Sequence, residues 1–80
     1  MLNKETRDEI NAGIEEIRYW ENKVDDNWVH TMDKVNTSKD RLLILLNMIW
    51  INNHDKTIQS SVNYYRRKAG LKTWKVTAQL

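Results

Sequence analysis

Between Leu42 and Ile51 the chain is apolar at every position except Asn47. Such a run is too short to span a bilayer, which takes about 20 residues. Wound into a helix, it is apolar on all sides. It must then be buried on all sides or form part of an interface. A chain of 80 residues makes one domain at most. At that size a single core only just offsets chain entropy, so full burial of this helix by its own chain is difficult. One face is therefore predicted to pack inward. The opposite face, around Ile44, Met48 and Ile51, is left for a partner. Trp50 is assigned to the same surface, because Trp and Met are favoured at interfaces.

The remaining elements are predicted to be helical as well. There is no proline and there are only two glycines, Gly13 and Gly70, whereas turn-rich β folds depend on both residue types. Thr6-Arg7-Asp8-Glu9 reads as a capping box, with Asn3 as an earlier cap candidate. Ile10, Ile14, Ile17, Val24, Trp28 and Val35 then follow heptad-like steps of four and three, with Glu21 and Thr31 as interruptions. This predicts a first helix over residues 4–35, about 45 Å long at 1.5 Å per residue. Something must lie along its apolar stripe. Asn36-Thr37-Ser38 reads as a break, opening a second helix over 39–52. Asn53-His54-Asp55 reads as another, with Asp55 or Thr57 capping a third helix over 57–69 that turns Ile58, Ser61, Val62 and Tyr65 inward. Gly70 and Leu71 then suit a helix C-terminal motif. The expected fold is all-α: one domain over 1–80, as a helical hairpin or three-helix arrangement, with the long first helix packed against the second and third. Residues 72–80 form a short extended tail. In it Trp74, Val76, Ala78 and Leu80 alternate with polar residues in a strand-like pattern that has no partner strand.

The charge is uneven along the chain. All eleven acidic residues fall in 1–55, and residues 56–80 carry six Lys and Arg and no acid. The net charge of +2 therefore conceals an acidic front and a basic end. Arg66, Arg67, Lys68, Lys72 and Lys75 form the one dense basic group, interleaved with Tyr64, Tyr65 and Trp74. Phosphate neutralisation and base stacking use these residue types, and the basic helix follows a short turn as a recognition helix does. The acidic front opposes that reading, and basic residues also favour helix C-termini for electrostatic reasons alone.

Little in the sequence points to catalysis. There is no cysteine and no glycine-rich phosphate loop. The two histidines, His30 and His54, fall on different elements. Asp26, His30 and Asp33 share a helix face at steps of four and three, which is compatible with a metal. The same spacing arises freely on any charged helix, so no metal and no cofactor is assigned. Glu15–Glu16 and Asp25–Asp26 are adjacent pairs that diverge around a helix and make no acid/base dyad. The expectation is a non-enzymatic binding protein. Trp74 joins Ile44, Met48, Trp50 and Ile51 as its candidate protein-binding residues, since the tail can add to a partner. A homodimer through the second helix would use the same surface. With a polar and charged stretch from Met1 to Glu9, no secretory signal is expected. The chain is read as cytoplasmic, without membrane insertion.

A whole-chain resemblance gives this expectation a specific form. Asp40-Arg41-Leu42-Leu43 opens a helix, and Tyr64-Tyr65-Arg66-Arg67-Lys68-Ala69-Gly70-Leu71 closes one, in a short, cysteine-free, asparagine-rich chain. In these features the sequence resembles accessory proteins of T-even-like phages, and among them the cytoplasmic antiholin of the rapid-lysis III type. The resemblance implies binding to the cytoplasmic segment of a holin and delay of lysis, and it transfers no individual functional residue. The alternative expectation is a small nucleic-acid-binding regulator using the basic C-terminal residues.

Overall fold

The computed structural model describes residues 2–23 and 27–76. Among them are three helices and no strand: α1 (Lys4–Glu21), α2 (Trp28–Asn52) and α3 (Lys56–Lys68). The first runs antiparallel to the second. Gly13 meets Leu42 and Glu16 meets Ser38, so the register rises along one helix and falls along the other. Gly13 permits this closeness, since a Cβ there would lie 3.2 Å from Leu42 Cδ1. α3 folds back so that Val62 and Tyr65 join Ile10, Ile14, Ile17, Leu42 and Leu46 in one cluster, which Leu2 closes at the N-terminal end.

The predicted helix over residues 4–35 is two helices, with the turn between Glu21 and Trp28. Asparagine caps stand on both sides of that turn. The Asn22 N–H donates to Arg18 C=O at 3.0 Å, and that of Lys23 to Trp20 C=O at 3.3 Å, tightening the end of α1. Asn27 opens α2, its Oδ1 accepting from the His30 N–H at 3.1 Å. The stripe on α1 needs a neighbour, and the chain supplies one by turning back. The heptad spacing continues across the turn, so periodicity alone carried the prediction too far. Trp28, assigned to the inward stripe, is instead 69% exposed, whereas Val35 is buried. Val24 lies outside the described residues.

The predicted break at Asn36-Thr37-Ser38 is absent: these residues lie inside α2. Inside the helix their hydroxyls act as donors and cap nothing. The Thr37 hydroxyl donates to Asp33 C=O one turn back, at 2.9 Å. The buried Ser38 donates across to Glu16 Oε1 at 3.1 Å. With no glycine or proline nearby, nothing stops the helix.

The other predicted boundaries lie within a residue of those observed. Asp55 caps α3 by accepting from the Thr57 N–H at 2.7 Å. At the far end Gly70 takes φ +76°, and the Gly70 and Leu71 N–H groups return to the carbonyls of Arg67 and Arg66 at 3.1 and 2.7 Å. The inward face of α3 is more polar than its apolar spacing indicates. Gln59, Asn63 and Arg66 are buried beside Val62 and Tyr65, while Ser61 is only half-buried and donates to Thr57 C=O.

Candidate functional site

On α2 the core takes Leu42 and Leu46, with Leu45 and Ile49 packed beside them. At 100° per residue, Ile44, Met48 and Ile51 fall on the far side. They are 61%, 57% and 66% exposed and form one outward stripe at steps of four and three. The structure thus brings three of the five predicted protein-binding residues together.

Trp50 and Trp74 lie elsewhere. Trp50 is half-buried on another face of α2, where the Trp74 ring meets it edge-to-face, with 5.1 Å between centroids and 89° between planes. The Arg66 guanidinium sits over the Trp74 ring at 4.1 Å. Of the tail, the described part, residues 72–76, has no strand partner and is pinned to α3 by side chains. Ala78 and Leu80 lie outside the described residues.

Arg66 also leaves the predicted basic patch. Only 2% exposed, it donates through Nη2 to Asn47 Oδ1 and through Nη1 to Lys72 C=O at 3.0 Å. Burial pushes its pKa below the ordinary value, yet a guanidinium remains charged in proteins. Asn47, the interruption in the apolar run, is thus the acceptor for a buried cation. Arg67, Lys68, Lys72 and Lys75 are exposed and keep a basic surface beside the exposed Tyr64.

A second exposed apolar surface went unrecognised in the sequence. Trp28 and Met32, exposed on the first turns of α2 together with Val29, stand near Trp20 of α1, whose ring the exposed Tyr19 meets edge-to-face. A cleft of about 370 Å³ lies among Trp20, Trp28, Thr31, Met32 and Val35, edged by Lys23 and Lys39. Its signal was present in the asparagines at 22 and 27: a turn there leaves Trp28 at a helix start, with little chain to cover it.

Asp26 of the candidate metal face lies outside the described residues. His30 and Asp33 are exposed on α2, and the His30 ring stands edge-on to Trp20 at 6.4 Å. Among the described residues no three His, Cys, Asp or Glu side chains converge as a metal site, and no helix is long and apolar enough to cross a membrane. Compared with protein-family models, curated proteins and solved structures, the chain matches none.

Proposed function

We propose that this chain is a non-enzymatic regulator that binds another protein through the outward face of α2. The observation that carries the proposal is the Ile44–Met48–Ile51 stripe. Three large apolar side chains, each more than half exposed, lie in line on the helix that also supplies the centre of the core. An amphipathic helix docks on such a face through apolar anchors at matching spacing. Following the resemblance to phage antiholins, the partner is the cytoplasmic segment of a holin, the site of action is the cytoplasm, and the outcome is delayed lysis. The test is co-expression with a holin while lysis time is recorded, alongside pull-down of the holin's cytoplasmic segment. Wild-type chain should delay lysis, and Ile44→Glu or Met48→Glu should abolish both delay and capture. Variants that fold, capture the segment and delay lysis like wild type would refute the assignment of this face. A homodimer through the same face would appear as a doubled mass in light scattering, lost in both variants.

A second reading rests on the exposed Arg67, Lys68, Lys72 and Lys75 beside Tyr64. It makes the chain a nucleic-acid-binding regulator. Its mark is a gel shift whose affinity falls steeply with salt and survives Ile44→Glu.

A further inference from the structure

The segment after Gly70 is held through its main chain. Asn63 of α3 meets Trp74 with both ends of its side-chain amide. Oδ1 accepts from the Trp74 N–H at 2.8 Å, and Nδ2 donates to the Trp74 carbonyl. One side chain thus presents the donor–acceptor pair that a neighbouring strand would offer. Two residues earlier, Arg66 Nη1 donates to the Lys72 carbonyl. The Trp74 ring rests between Arg66 and Trp50, while Lys72, Thr73 and Lys75 are exposed. Across 72–75, only the backbone and one aromatic ring are recognised.

Two further observations distinguish this seat from ordinary core. Trp74 remains 37% exposed, and its segment belongs to no helix or strand, the kind of element that opens locally while the rest stays folded. The buried Arg66 also faces two neutral oxygens. Its Nε has no hydrogen-bond partner, and no carboxylate pairs with it among the described residues. An apolar side chain would fill that volume without the cost of desolvating a cation. What the guanidinium and Asn63 contribute is recognition of a backbone, whichever chain supplies it.

We propose that Asn63, Arg66 and Trp50 form a cleft for an extended, aromatic-bearing peptide segment of a partner protein, and that residues 72–74 occupy it in cis as an autoinhibitory strap. The cleft is separate from the Ile44–Met48–Ile51 stripe, so the two proposals stand or fall independently. The strap is joined to α3 through Gly70 and Leu71, and its high effective concentration makes it a strong competitor.

The probe is a fluorescein-labelled peptide with the sequence of residues 71–76, followed by anisotropy with the full chain. Trp74→Ala should bind it saturably, roughly ten-fold or more tighter than wild type, because the cis ring no longer competes. Adding Asn63→Leu to that variant should remove the binding. Absence of saturation by a folded Trp74→Ala chain, equal affinity in wild type, or indifference to Asn63→Leu would each overturn the proposal. Hydrogen exchange on wild type decides the matter if Trp74→Ala does not fold. The Trp74 amide should exchange about a hundred-fold or more faster than that of Leu46, through local opening. Equal protection of the two amides would mean that the strap opens only with global unfolding, and the cleft would then be core.

Discussion

Asn47 owes its place in α2 to a residue on another helix. Within Leu42–Ile51 it looks like a flaw in an apolar helix, yet it accepts from Arg66 inside the protein. Neither residue is intelligible without the other. Removing one partner of a buried pair leaves the other's desolvation cost uncompensated. Asn47→Leu alone should therefore destabilise by about 1–3 kcal/mol. Arg66→Met alone should also destabilise, by orphaning the Asn47 amide. The double variant should be less destabilised than the two singles predict together, a non-additivity that urea unfolding in a double-mutant cycle would measure. Strict additivity would show that the pair contributes nothing. Leu46, fully buried at the helix junction, is the simpler case: Leu46→Ala should cost about 2–5 kcal/mol in the same assay.

Helix boundaries were decided by where polar side chains spend their hydrogen bonds. Thr37 and Ser38 are good N-cap residues by type, but one bonds back along α2 and the other across to α1. Asn22 and Asn27, by contrast, stand at the ends that form. Asn27→Ala should lower stability by about 1 kcal/mol through loss of the cap on His30 N–H. Asp55 adds a pH dependence. The Thr57 N–H favours its charged form and holds its pKa below the ordinary carboxylate value. A lowered folded pKa means that the contribution is fully present above the unfolded value and is lost as pH falls through the folded one. Asp55→Asn keeps a capping oxygen but no charge. It should be less stable than wild type at neutral pH, with the difference vanishing in acid, as followed by urea unfolding at several pH values. A difference independent of pH would exclude the charge as its source.

The whole molecule is elongated, with extents of 53 × 23 × 16 Å. Two shorter helices, of 18 and 13 residues, cannot enclose a helix of 25 residues that is apolar on several sides, so part of α2 remains outside the core. That part is the Ile44–Met48–Ile51 stripe. Polar substitution on an exposed helix face usually changes stability by no more than about 0.5 kcal/mol. Ile44→Glu and Met48→Glu should therefore leave the unfolding midpoint nearly unchanged while abolishing partner binding. A large loss of stability in either variant would place the stripe within the core. The exposed Trp28 and Met32 at the opposite end of α2 serve as a comparison, since Met32→Glu should leave binding through the stripe intact.

The all-α class, the outward stripe, and the Asp55 and Gly70 boundaries of the third helix were legible in the sequence because each depends on local spacing or local capping. Ile44, Met48 and Ile51 needed only the helical period to be placed opposite Leu42 and Leu46. The turn after Glu21, the continuity through Thr37 and Ser38, the burial of Arg66 and the docking of Trp74 were settled by tertiary structure. A heptad pattern does not say which chain segment will cover it. A Thr or Ser hydroxyl caps a helix only where backbone N–H groups are left free for its oxygen to accept from, and inside the continuous α2 none are freed at Thr37 and Ser38. A buried arginine is tolerated where Asn47 and the Lys72 carbonyl, distant in sequence, arrive within hydrogen-bonding reach. The basic C-terminal run thus divides, with Arg66 drawn into the interior and Arg67, Lys68, Lys72 and Lys75 left at the surface, because only the packing of α3 on α2 determines which side of the helix faces inward.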